Sequence, residues 1–204
     1  MANYRTSRVL PIILVVVIII IAIAALVSLT RVVFFSGRST TSTVEVDTSK
    51  AALLDTTVTH SVRMTVRGPI VADEKFQSYQ IDVSSSNRSL KTFTGYGGTI
   101  VDQTTLPNNV AAYEAFVYAL DKANLSKGTE LTEEKNDTRG ICATGTLTTF
   151  TILDNSESVK ELWTTTCSGS KGSLNASVAQ LNNLFVKQIP GADSLISKVA
   201  LTRF

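Results

Sequence analysis

From Val9 to Leu29 the chain reads VLPIILVVVIIIIAIAALVSL, with no charged side chain in the run. A helix at the surface of a water-soluble domain keeps one polar face; this segment has none. The hydrocarbon core of a bilayer is ~30 Å thick and takes about 20 helical residues to cross. The run therefore predicts a transmembrane helix over 9–29, with Pro11 in its first turn, where a missing N–H costs nothing. A cleaved signal peptide is the competing reading, since AIAA offers small residues at a cleavage site. Secretory apolar cores span about 7–15 residues, shorter than this one. The expected organisation is a short cytoplasmic tail over 1–8, the membrane helix over 9–29, a membrane-proximal segment and Ser/Thr-rich stalk over 30–47, and one exported domain over 48–204. The lipid bilayer is the first expected partner, through residues 9–29. Arg8, Arg31, Phe34 and Phe35 are expected at its interfaces, where basic and aromatic side chains favour the headgroup layer.

Orientation follows from charge. Arg5, Arg8 and the α-amino group precede the run, while Arg31 and Arg38 follow it. The larger positive count before the helix favours a cytoplasmic N-terminus. The only two cysteines, Cys142 and Cys167, point the same way. If Asp154-Asn155 is a two-residue hairpin loop, opposed residues have numbers summing to 309, and Cys142 faces Cys167 directly. That register also collects Phe150, Ile152, Val159 and Trp163 on one face, and a one-residue slip would undo it. A longer loop would make the cysteines diagonal neighbours instead. Opposed Cα atoms in an antiparallel pair lie within disulfide range, and a disulfide belongs to an oxidising compartment.

Beyond the stalk, DTSKAALLD predicts a brief helix. TVTHSVRMTV then alternates, with Val58, His60, Val62, Met64 and Val66 on one face, as in a half-buried strand. KFQSYQIDV, LKTFTGY and TIVDQ continue as short strands joined by turn sequences, in a meander. PNNVAAYEAFVYALDKANL changes to helical period, with Val110, Tyr113, Phe116, Val117 and Leu120 on one stripe and Asn108 or Asn109 as cap. A polar loop, the cysteine hairpin and a second helix carrying Val178, Leu181, Leu184, Phe185 and Ile189 complete the domain. The fold class is α+β: an antiparallel sheet of hairpins with two main packed helices. Each half reads as a hairpin, a Gly-rich turn and an amphipathic helix, which raises a degenerate internal repeat as an option.

Chemistry is sparse in this pattern. His60 is the lone histidine and sits on the apolar face of a strand; neither G-x-S-x-G nor H-E-x-x-H occurs. Ser126-Lys127 and Ser170-Lys171 are adjacent pairs in turn-like sequence, and adjacent strand residues point to opposite faces. Asp82, Asp102, Glu130, Glu133 and Glu134 show no spacing that selects two of them for acid–base work. GYGG and SGSKGS lack the helix N-terminus that gives phosphate loops their anion affinity. The net charge of +2, with basic residues scattered among acids, argues against nucleic acid. No catalytic residue, metal ligand or cofactor is assigned. The expectation is a membrane-anchored, exported, non-enzymatic binding or scaffolding module of the cell envelope, with an envelope protein or glycan as partner. Tyr96 and Trp163 are its candidate partner-contact aromatics. The alternatives are an envelope hydrolase using carboxylates or a Ser-Lys pair, and a small-ligand or lipid-binding domain.

Overall fold

A computed structural model describes residues 48–129, 131–199 and 201. The 9–29 run, the 1–8 tail, the stalk, and the interface residues Arg8, Arg31, Phe34 and Phe35 lie outside the described residues. Among the described residues no helix is long and apolar enough to cross a membrane.

The domain is α+β. Helix α1 (Thr48–Leu54) precedes β1 (His60–Arg67), and a 3-10 turn (Asp73–Lys75) leads into β2 (Gln77–Ser84), β3 (Asn87–Thr94) and β4 (Thr99–Pro107). Helix α2 (Val110–Lys122), the short α3 (Glu133–Asn136), the hairpin β5 (Leu147–Asp154) and β6 (Glu157–Thr165), then α4 (Val178–Val186) and α5 (Ala192–Ile196) follow. All six strands form one antiparallel sheet in the order β4-β3-β2-β1-β5-β6. The first strand made is thus central, gripped on one side by β2 and on the other by β5.

The alternation in β1 decides which face is covered. Val62 pairs with Val83 and Ile152, and Met64 with Ile81 and Phe150. These side chains are buried together under α2 and α4. The Asn109 side chain caps α2 by accepting from Ala112 N at 2.9 Å, and Ser177 caps α4 by accepting from Gln180 N. Each cap satisfies one of the orphan amides of a first turn. The helices then press Tyr113, Phe116, Val117, Leu120, Leu181 and Phe185 onto the sheet. Phe185 meets Phe116 edge to face at 5.3 Å and Phe150 at 5.8 Å. Full burial of such a side chain contributes about 1.5–3 kcal/mol. Val110 and Val178, expected on the helix stripes, fall in first turns that project past the core and are exposed.

The β5–β6 hairpin departs from the expected register. A tight turn of this hand needs two central residues with positive φ. Asn155 (φ 48) and Ser156 (φ 71) supply them, so Asp154 stays in the ladder opposite Glu157. A further shift between Ile152 and Leu153 leaves Phe150 facing Leu162 rather than Val159. Leu162 therefore shares the helix-side face with Phe150, and Trp163, paired with Thr149, points to the outer face. Cys142 and Cys167 do form the disulfide, with Cα atoms 5.4 Å apart. They do so from the loops beyond the hairpin, since β5 begins at Leu147 and β6 ends at Thr165. The bridge staples loops, not opposed strand positions.

The repeat is corrected by the topology. β2 and β5 are both antiparallel to β1 and flank it, β3 and β6 lie outside them, and α2 and α4 pack on the same face. A rotation normal to the sheet would reverse the strands, and one along β1 would send a helix to the other face. Only a mirror relates the two units, so the sheet has no pseudo-two-fold of hairpin and helix.

The outer face is covered over one half only. On the β5–β6 side Leu147, Thr151, Leu153 and Trp163 are buried. Trp163 is covered by Asn136, whose Oδ1 accepts from the indole Nε1 at 2.9 Å, and by residues 172–174. The Ser173 and Leu174 amides both donate to Trp163 O, closing the β6 edge. Gly172 (φ 77) is required there: a Cβ would lie 2.1 Å from that carbonyl oxygen. The β1–β3 side stays open and polar. Its centre is Arg63, whose Nε donates to Asp82 Oδ1 at 2.6 Å, while Gln80 Nε2 donates to Oδ2.

Candidate binding cleft

The open half of the outer face ends in a cleft of ≈ 380 Å³, where β1 finishes and β2 begins. Its walls come from four separate stretches: Arg67, the Ile70–Phe76 approach to β2, the β3–β4 turn at Tyr96, and the loop of Thr138, Arg139 and Gly140.

The aromatic wall is built by the turn. Gly95 takes φ 73, which swings Tyr96 back over Phe76, and the rings stack at 4.1 Å and 19°. The Tyr96 hydroxyl donates to Val71 O at 2.8 Å and accepts from Val71 N at 3.1 Å, and Tyr96 N donates to Asp73 Oδ1 at 2.7 Å. Three bonds fix the ring, yet Tyr96 keeps 53% of its surface exposed. One flat aromatic face is held rigid towards solvent.

The opposite wall is a loop held by a cation and a staple. The Arg67 guanidinium donates to Thr138 O at 3.1 Å, to Ile141 O and, at longer range, to Gly68 O. Ile70 N donates to Ala143 O at 2.8 Å, and the intervening Cys142 (φ 53) is tied to Cys167. Of the five guanidinium N–H groups, two are left without an acceptor among the described residues. Carbonyls satisfy hydrogen bonds but do not neutralise charge. Arg67 makes no ion pair among the described residues, and burial lowers its pKa from the usual value. It nevertheless stays protonated at neutral pH. Arg139, also on this wall, is neutralised by Asp137 at 2.6 Å and is exposed. The cleft therefore combines apolar walls with one half-buried, uncompensated positive charge.

The other residues singled out by sequence lie elsewhere. Trp163 is 3% exposed and packs inside the covered half, so of the two aromatics Tyr96 alone presents surface. His60 caps the start of β1: its Nδ1 contacts Thr57 Oγ1 at 2.9 Å and Thr59 Oγ1 at 3.2 Å, with Asp55 and Asp154 oxygens at 3.7 and 3.8 Å. Hydroxyls and carboxylates crowd the same nitrogen, whereas a nucleophile-activating triad divides them between the two ring nitrogens. Ser126 is buried and Lys127 exposed, and Ser170 lies in the turn where its carbonyl accepts from Thr165 Oγ1. Asp82 bonds Arg63 on the outer face, whereas Asp102, on β4, pairs with Lys198 at 2.9 Å and faces the helix side. Glu130 and the Glu133 side chain lie outside the described residues. Among the described residues no three His, Cys, Asp or Glu side chains converge on a metal-sized space. A second depression of ≈ 510 Å³ at the other end of the open face is polar, lined by Ser61, Ser84, Asn87 and Lys91 around the Arg63–Asp82 pair.

Arg67, Ile70 and Phe76 escape sequence reading. Arg67 falls on the polar side of the β1 alternation, where an arginine normally points to water, and only the Gly68-Pro69 that follows marks a break there. No family model matches this chain, and a search of curated proteins finds no relative.

Proposed function

We propose that this chain is a membrane-anchored, exported binding module of the cell envelope, non-enzymatic, which takes its partner in the Tyr96 cleft. The observation that carries the binding reading is the rigid Tyr96 face opposite the unneutralised Arg67, a pairing that packing alone does not call for. Small-molecule and peptide sites have this make-up of apolar walls with a few placed polar groups. The Cys142–Cys167 bridge supports an oxidising compartment, and the uncharged Val9–Leu29 run supports the tether. A tether raises the effective concentration of the module for neighbours at the same membrane.

The test is thiol labelling on intact cells with a membrane-impermeant reagent. Reaction of Cys142 and Cys167 only after an impermeant reductant is the expected outcome. Reaction only after lysis, with no reductant needed, would put reduced thiols in the cytosol and sink the envelope role.

A further inference from the structure

We propose that the Tyr96 cleft binds the C-terminal carboxylate of a peptide whose last side chain is aromatic or branched aliphatic, with Arg67 as the partner of the anion. This deepens the binding-module reading and rests on it.

Three features of the cleft select that chemistry. The first is charge. Arg67 is a half-buried cation with no carboxylate partner among the described residues and two open N–H groups. A neutral ligand would leave that charge as it is. A carboxylate would accept a charge-assisted bond from the open Nε–H or Nη1–H, stronger than a neutral one.

The second is the wall chemistry. Ile70, Phe76 and the exposed face of Tyr96 offer one apolar space, and ≈ 380 Å³ suits a single large side chain with its carboxylate. A sugar acid fits poorly, because its ring hydroxyls would need partners, and buried hydroxyls without them are costly. Beyond Arg67 the lining supplies polar side chains only from Thr138, the already paired Arg139 and the Tyr96 hydroxyl, which is bonded to Val71. A phosphate would bring a second negative charge to a site with one free cation.

The third is the surrounding surface. Thr65, Gln80 and Lys91 project on the same outer face as Arg67 and make a polar route across β1, β2 and β3 beside the cleft. Amides and hydroxyls along that route can meet the peptide units that precede the terminal residue. A free aromatic acid would have no use for them.

The test titrates four probes into the full-length, isotope-labelled chain in detergent micelles, read by amide NMR shifts. The probes are acetyl-Ala-Ala-Phe, its C-terminal amide, acetyl-Ala-Ala-Gly and 3-phenylpropionate. The expected result is saturable movement of the Ile70, Tyr96 and Gly140 signals by acetyl-Ala-Ala-Phe, with a Kd of about 0.1–1 mM. The amide, the Gly-ended peptide and 3-phenylpropionate should each bind about tenfold more weakly or less. Acid and amide titrating alike would remove Arg67 as the anchor. Equal binding of the Gly-ended peptide would remove the apolar wall, and equal binding of 3-phenylpropionate would remove the peptide. Absence of any saturable shift would overturn the site.

Arg67→Gln should erase the advantage of acid over amide. Because Arg67 also holds the Thr138–Ile141 loop, the four-probe comparison on the unaltered chain stands without that variant. Thiol labelling in the cytosol would sink the envelope reading and leave these titrations untouched, so the two failures are distinguishable.

Discussion

The two halves of the outer sheet face are built from different strands of one sheet and end up with opposite uses. Over β5 and β6 the chain folds back, buries Trp163, Leu147 and Leu153, and closes the sheet edge with Ser173 and Leu174. Over β1 to β3 nothing among the described residues covers the polar row, and the Arg63–Asp82–Gln80 network and the Tyr96 cleft face outwards. Side-chain character tracks the difference. Thr151 and Trp163 are buried, the latter with Asn136 as its partner, while Arg63 and Asp82 satisfy each other on the open side. Burial on one half holds the fold together, and freedom from burial on the other leaves room for a ligand. The loop bearing Cys142 is the hinge between them, since it leaves the covered half and forms the wall of the cleft.

The sharpest way to break this contrast is to truncate one aromatic from each half. Trp163→Ala removes a buried ring and leaves the Asn136 amide without its donor. It should cost about 3–5 kcal/mol, read by urea unfolding of the full chain in detergent with circular dichroism. Tyr96→Ala, a half-exposed ring in a single stack, should cost about 1 kcal/mol. Equal losses would mean that the open half is structural too.

The disulfide comes next. Replacing both cysteines by serine should lower stability by about 2–4 kcal/mol, because the bridge restrains the unfolded chain. The loss should also be uneven. The Ile70 amide, which donates to Ala143 O beside the bridge, should lose hydrogen-exchange protection more than amides in β2 or β3. Uniform loosening would separate the staple from the cleft wall.

The smallest effect is local. The Arg139 guanidinium holds the Asp137 carboxyl well below the ordinary carboxylate value of 3.8, at about 2. A depressed carboxylate favours the folded loop above its ordinary range, and that preference fades as the pH falls through the folded value. Carboxyl NMR should find the Asp137 midpoint near 2 and return it towards 3.8 in Arg139→Ala. Both groups are exposed, so global stability should hardly register the change. An unshifted Asp137 would remove the pair, and with it the reason Arg139 adds no net charge to the cleft.

How much of this could be read from the residues depends on the range of the interaction involved. The alternation of Val62, Met64 and Val66 and the stripe of Tyr113, Phe116, Val117 and Leu120 report local period, and both faces fold as read. The cysteine pairing was legible as well, although for a different geometric reason. Register was not. The turn at Asn155-Ser156 changed the partners, and the one-residue shift beside Ile152 moved Trp163 from the expected face to the other. Strand order was hidden too, because nothing in β1 announces that it will be central. The cleft was least visible, because four stretches spread from Arg67 to Gly140 meet only after the sheet has formed. Tyr96 could be named in advance because a tyrosine in a Gly-rich turn has few places to hide. Arg67 could not.

The central place of β1 also sets a timetable for synthesis. The ribosome delivers β1 to β4 by residue 107, and the strand that closes the other side of β1 is finished only at residue 154. The gap is 154 − 107 = 47 residues, which at translation rates of about 5–20 residues per second lasts about 2–9 s. Through that interval a four-stranded meander exposes the unpaired backbone of what will become the middle of the sheet. An open strand edge recruits other strands, so a nascent chain is most prone to mispairing with a neighbour on the same message just before β5 emerges. Chaperone demand should peak there, in a window set by topology alone.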